Sequence, residues 1–203
     1  MKRTRLFAIA GVILVAASGV AQESRSEIGL QGIGFFTQNA SGEGISRRAT
    51  GSGGVLVPYR YHIARWLSLE AAYGYGRNTQ KFYTSDFLYG VQTNVHQVSG
   101  GFVVNIPAMT WWKLSPYILT EGGALIFSPT GTYSGSFRAS AERQTKGTFI
   151  YGTGLTFPFS KHFSFRAEYR GLVYSPPTFN FSSLSMGTIT HTAQPSLGIS
   201  YRF

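Results

Sequence analysis

The closing segment Ile189-Thr190-His191-Thr192-Ala193-Gln194-Pro195-Ser196-Leu197-Gly198-Ile199-Ser200-Tyr201-Arg202-Phe203 sorts its side chains into two classes by alternation. Ile189, His191, Ala193, Pro195, Leu197, Ile199, Tyr201 and Phe203 fall on one face. Thr190, Thr192, Gln194, Ser196, Gly198, Ser200 and Arg202 fall on the other. A period of two is the mark of an extended strand with unlike faces. Two further stretches repeat it: Phe163, Phe165, Ala167 and Tyr169 stand opposite Ser164, Arg166, Glu168 and Arg170, and Leu67, Leu69, Ala71, Tyr73 and Tyr75 stand opposite Ser68, Glu70, Ala72 and Gly74.

A soluble sandwich also alternates, turning its apolar face to a core. A transmembrane barrel turns that face to lipid and its small and polar residues to the lumen. Length separates the two. The alternating runs last about 10 to 15 residues, against about five or six in soluble strands and about 9 to 11 for a tilted strand in hydrocarbon. Eight strands are predicted, at 25–37, 52–62, 66–77, 90–106, 114–127, 146–158, 162–174 and 189–203, with strands one, four and five alternating less cleanly. Short connections (63–65, 107–113, 160–161) alternate strictly with long ones rich in Gly, Ser, Thr and charge (38–51, 78–89, 128–145, 175–188). Tight turns at one end and extended loops at the other characterise outer-membrane barrels, and an even strand count places both termini on the turn side, the periplasm.

The fold expected is therefore all-β, an eight-stranded antiparallel up-and-down transmembrane barrel. Mean hydropathy near zero agrees, because apolar residues are spread through strands and not gathered into runs of about 20. The one apolar run, Leu6 to Ala17, follows Lys2, Arg3 and Arg5 and precedes small residues at Gly19 and Ala21. That is the pattern of a cleavable signal peptide over residues 1–21, leaving 22–203 as the barrel. No cysteine is present, so interstrand hydrogen bonds and not disulfides would hold the fold. Trp66, Trp111, Trp112, Phe157, Phe159, Phe163 and Phe203 fall at the turn side and would form a lower aromatic girdle. Phe36, Tyr75, Tyr89, Phe127 and Tyr174 would form the upper one.

The last ten residues, with Ser196, Gly198, Tyr201 and the terminal Phe203, resemble the C-terminal signal of outer-membrane proteins. The mature chain as a whole is similar to the small eight-stranded family that includes the OmpA, OmpX and Ail barrel domains, with residues 157–170 resembling its last turn and seventh strand. The resemblance implies recognition by the barrel assembly machinery and residence in the bacterial outer membrane. The peptidoglycan-binding domain that follows the barrel in full-length OmpA is not expected, since the sequence closes at Phe203.

Facing assigns Arg60, Glu70, Glu121, Arg166, Glu168 and Arg170 to the lumen, with His62 beside them. An eight-stranded barrel is just wide enough for side chains to fill. Charges there must pair, since an unmatched buried ion costs several kcal/mol. A plugging Arg–Glu network is expected in preference to a gated ion path, which would make the chain a narrow channel. The long loops carry Arg47, Arg48, Arg77, Lys81, Arg138, Arg143 and Lys146 against Glu43, Asp86 and Glu142, a net charge of +4. This suits contact with outer-membrane lipids, lipopolysaccharide phosphates or other anions outside the cell. The basic residues are dispersed, so no nucleic-acid partner is expected, and the chain is taken as a monomer. His162-Phe163-Ser164 resembles the His-x-Ser pair of a lipid A deacylase, but that motif's asparagine-containing continuation and its Glu are missing, so the chain is read as no enzyme. No cofactor or metal is expected: His62, His96 and His191 are isolated, and no ligand spacing recurs. A structural or surface-interaction barrel is thus the first reading, a narrow channel the second and a lipid A-modifying enzyme the third.

Overall fold

The structure, a computed structural model, describes residues 25–37, 40–42, 45–49, 51–83, 88–106, 113–133, 143–177 and 189–203. The expected signal segment, Trp111, Trp112 and much of the expected long loops lie outside them. The described residues form ten strands: β1 Ser26–Thr37, β2 Ala40–Gly42, β3 Ile45–Ala49, β4 Ser52–His62, β5 Leu67–Tyr83, β6 Leu88–Asn105, β7 Ser115–Tyr133, β8 Gln144–Pro158, β9 Phe163–Tyr174 and β10 Thr190–Arg202. Eight of them close a ring in the order β1-β4-β5-β6-β7-β8-β9-β10 and back to β1, every pair antiparallel. Closure leaves no unpaired edge in hydrocarbon, where an unmet backbone group costs several kcal/mol.

The two extra strands stand apart from this wall. β3 pairs with the far half of β5, from Ser46↔Tyr83 to Ala49↔Gln80, and β2 pairs with β3. They form from a segment expected to be loop. β5, β6 and β7 also run past their expected ends at 77, 90 and 127, β5 and β6 staying paired out to Tyr83↔Leu88. The apolar alternation ends where hydrocarbon ends, but ladder hydrogen bonds continue in water without it. β5, at 17 residues, rises about 43 Å along the axis at ~3.3 Å per residue and ~40° tilt, well beyond a hydrocarbon band of about 25–30 Å.

The tilt follows from register. From Glu27 the ladder passes through Arg60, Glu70, Gly101, Glu121, Ile150, Leu172 and Thr192, and returns to β1 at Thr37, ten residues farther along. A stagger of ten over eight strands corresponds to a tilt of about 40°. The two ladders of β1 are each interrupted once, between Ile28↔Tyr59 and Gln31↔Leu56 and between Ile33↔Ser196 and Phe36↔Ala193. Both gaps fall at a proline, Pro58 and Pro195, which has no N–H to donate.

Side-chain facing resolves the strands that sequence left ambiguous. Leu30, Phe102, Ile118, Leu155, Phe165, Leu197 and Ile199 are exposed on the outer wall, while Gln31, Gln97, Arg170 and Gln194 are fully enclosed. At the end bearing the short turns and both termini, Trp66, Phe157, Phe159 and Phe163 face outward as expected, and Tyr201 stacks on Phe203 with ring centroids 6.0 Å apart. The expected upper girdle is corrected in part: Phe36 is exposed as expected, and the side chain of Tyr89 lies outside those described. Phe127 and Tyr174 are buried inside the lumen with centroids 6.0 Å apart, because β7 and β9 carry apolar side chains inward at that level. The aromatics facing outward there include Tyr73 and Tyr151, each hydrogen-bonded at 2.8 Å to a histidine, His96 and His191 respectively.

The outward face of Leu197 is testable by depth. Leu197→Arg should cost about 2–4 kcal/mol of unfolding free energy in phospholipid vesicles, and Ile63→Arg at the turn rim about 0–1 kcal/mol. Urea titration with tryptophan fluorescence reads both, and equal costs would contradict this placement.

Candidate functional site: the charged lumen

The six lumenal residues expected from sequence are all buried and lie in one continuous ion network. Arg170 is its centre. Its Nε donates to Glu168, its Nη1 to Glu121 at 3.0 Å and its Nη2 to Glu70 at 2.5 Å. Glu70 also accepts from Arg60 Nε at 2.7 Å, and Arg166 Nη1 lies 3.7 Å from it. Because the strands tilt, groups that meet across the lumen are not register partners. Register runs from Glu121 through Ile150 to Leu172, yet Arg170 is the residue that reaches Glu121.

Two members, Glu27 and Tyr117, were not legible in sequence, whereas Arg202 was expected at the lumen or its mouth. Glu27, on the poorly alternating β1, pairs with Arg166 and lies 3.1 Å from His62 and 3.3 Å from Arg202. Tyr117 is enclosed beneath Arg60, whose guanidinium carbon lies 4.5 Å from the ring centroid, and donates to Glu168 at 2.5 Å. Cation–π attraction and a charge-assisted hydrogen bond hold one side chain between opposite charges. Gly154 makes the room, since a Cβ there would sit 2.4 Å from the Tyr117 ring. Arg202 completes the charge count: Glu27, Glu70, Glu121 and Glu168 outnumber Arg60, Arg166 and Arg170 by one, and Arg202 at the turn-end mouth supplies the fourth cation. The glutamate two places before Gly29 and four before Gln31 was the available signal for β1, obscured by Ile33 and Phe35 on the same face.

Beyond the ions, toward the loop end, polar amides follow. Gln194 Nε2 donates to Gln97 Oε1 at 2.9 Å and Ser196 Oγ to Gln31 Oε1 at 2.8 Å. β6 and β10 stand four places apart in a ring of eight, so the Gln194–Gln97 bond spans the lumen from wall to wall, as does Arg170–Glu70 between β9 and β5. From the amide level toward the loop end apolar side chains predominate: Ile33, Phe35, Leu56, Leu125, Phe127, Ile150, Leu172 and Tyr174 are buried there, interleaved with buried Thr93, Thr148, Thr190 and Thr192. The interior is therefore layered and not uniformly polar.

Other candidate residues stay apart from this network. His162 is exposed on the turn between β8 and β9, its ring centroid 5.9 Å from Tyr201. Ser164 follows two residues later on the mouth. Among the described residues no group of three or more His, Asp or Glu is placed to hold a metal ion. Of the terminal motif, Ser196 faces the lumen, Tyr201 faces out, and Phe203 exchanges backbone hydrogen bonds with Ser26 at 2.9 and 3.3 Å. A Cβ on Gly198 would fall 2.1 Å from the Leu30 carbonyl oxygen, so this glycine sets the approach of β10 to β1.

Arg170 and Arg166 should differ as targets. Arg170→Met strands three carboxylates and should cost about 3–5 kcal/mol of unfolding free energy in vesicles. Arg166→Met should cost less, because Glu27 keeps Arg202 and His62. Equal losses in urea titrations would contradict the central place of Arg170.

Comparison with solved structures places this barrel among small outer-membrane proteins. OprG of Pseudomonas aeruginosa is similar with a TM-score of 0.62 at 12% identity, covering 88% of this chain and 95% of that one. Neisserial surface protein A gives 0.59 at 12%, covering 88% and 97%. Ail, the attachment invasion locus protein of Yersinia pestis, gives 0.50 at 20%, covering 88% and 97%. At these identities the likeness is one of fold. No curated protein sequence gives a significant match. Residues 7–203 match the family described as the outer membrane protein beta-barrel domain, and the chain belongs to that family of outer-membrane barrels.

Proposed function

We propose that this chain is a closed, non-conducting outer-membrane barrel whose role is structural or at the cell surface, with its short turns and both termini in the periplasm. The observation that carries the reading is the doubly crossed lumen. Arg170–Glu70 and Gln194–Gln97 span it wall to wall at two levels, and buried side chains, mostly apolar with threonines among them, fill it beyond them. An ion moving along the axis would have to break a buried multidentate pair and then pass a closely filled layer with few polar groups, each step costing several kcal/mol. The charged network is thus a plug. Function then resides on the outside: the lipid-facing wall meets membrane lipids, and the basic loops meet lipopolysaccharide phosphates or other external anions. Ser196, Gly198, Tyr201 and Phe203 serve insertion by the barrel assembly machinery.

Purified protein in planar bilayers should show no unitary conductance steps. Steps whose size or selectivity changed on replacing Arg170 would replace this reading with a gated channel. Orientation is checked separately, since the chain has no native cysteine. An impermeant maleimide should label Ser134→Cys on intact cells and leave Ser160→Cys unlabelled until the outer membrane is opened.

A further inference from the structure

At the turn end the lumen opens into a mouth of about 530 Å³ whose described lining is strongly basic. A cavity of that size falls within the range of small-molecule sites. Its walls include Arg65 on the turn between β4 and β5, Lys161 and His162 on the turn between β8 and β9, and Arg202 at the end of β10. Glu27 is the sole carboxylate among the described lining residues, and it already holds Arg166, Arg202 and His62. The interior charge balances only by counting Arg202, so nothing in the lumen is left to neutralise Arg65 and Lys161. Among the described residues neither has a carboxylate within ion-pair reach.

Two features distinguish this arrangement from ordinary rim charge. On the same two turns Trp66, Phe159 and Phe163 are exposed on the outside, whereas Arg65 and Lys161 line the mouth. The cations therefore address the cavity and the aromatics the lipid. Their field is also focused between low-dielectric walls, which raises its effect on an entering anion. Hydroxyls of Ser160, Ser164 and Thr156 line the same space and can donate to oxygen.

We propose that this mouth is a binding site for a phosphate group, a tetrahedral oxyanion gripped by Arg65 from one wall and Lys161 from the other. A guanidinium fork and an ammonium supply charge-assisted donors from different directions, which a phosphate's oxygens can all accept. The chemistry is shared by a soluble phosphate monoester and by a phospholipid headgroup reaching round the rim. The site does not depend on which side of the membrane this end faces, nor on whether the lumen conducts.

The test uses the full-length mature chain in a sugar-headgroup detergent, which carries no phosphate. Inorganic phosphate and glycerol phosphate are titrated at constant ionic strength while amide resonances are followed by NMR. Saturable shifts confined to residues 62–66, 160–164 and 202 are expected, absent with chloride. Arg65→Gln with Lys161→Gln should weaken binding about tenfold or more while heat-resistant gel migration is retained. A second arm compares nanodiscs of phosphatidylglycerol with discs of sugar lipids, both free of soluble phosphate. Shifts at these residues in the phosphatidylglycerol discs would assign the site to a headgroup, and shifts with soluble phosphate alone to a free ligand. Linear titration, equal shifts with chloride, or an unaltered response in the double variant would overturn the proposal.

Discussion

A guanidinium has three nitrogen positions, and Arg170 spends each on a different carboxylate, from β5, β7 and β9. That single side chain ties opposite walls of the barrel. Its charge lies in a space from which water is largely excluded, so its neighbours are constrained in turn. Glu70, Glu121 and Glu168 bring three negative charges around one positive one. Arg60 and Arg166 must then approach, Tyr117 must donate to Glu168 beneath Arg60, and Glu27 must answer Arg166. Small inward residues follow from the same demand: with Gly154 widened by one methyl, Tyr117 has no place.

Such a network is a weak source of stability, because desolvation offsets most of the attraction and well-packed apolar replacements often do as well. Its value here is better sought in register. Alternation has period two, so a slip of one residue in any strand exchanges lumen and lipid faces. For β9 that slip would carry Arg166, Glu168 and Arg170 into hydrocarbon, at about 2–4 kcal/mol for each arginine at mid-depth. A β-strand of Val and Thr could slide with little loss; one carrying three charges on a single face cannot. The ten-residue stagger that brings non-register partners together is enforced by where these charges can lie.

What could be read in advance follows from which faces were chemically distinct. β9 as far as Arg170, and β10, were legible because charge, amide or hydroxyl alternates there with aromatic or aliphatic side chains. β6 and β7 were not, because Val95, Val103, Leu119, Leu125 and Phe127 point into the lumen while Val98, Phe102 and Ile118 point to lipid. Apolar on both faces carries no period. The same masking misplaced Phe127 and Tyr174 in an outer girdle and hid Glu27, whose strand carries Ile33 and Phe35 on the inward face. β3 and the outer parts of β5 and β6 were read as loop for a different reason. Ladder pairing above the bilayer needs no apolar face, so nothing in composition announces it.

The misreadings of facing share one physical cause, and it bears on what the barrel can do. A lumen polar throughout would have shown clean alternation on every strand, and water could have threaded it. This lumen is charged toward the turns, amidic at Gln31, Gln97 and Gln194, and mixed toward the loops, where apolar side chains outnumber threonines. That layer carries no charge of its own, and the low polarity of its side chains strengthens each ion pair beside it. Toward the turns no such layer exists. The network there grades through Glu27, His62 and the half-exposed Arg202 into the basic mouth. The described barrel is crowded by apolar side chains toward one end and lined by cations at the other, and a basic lining favours anions over cations as lumenal ligands.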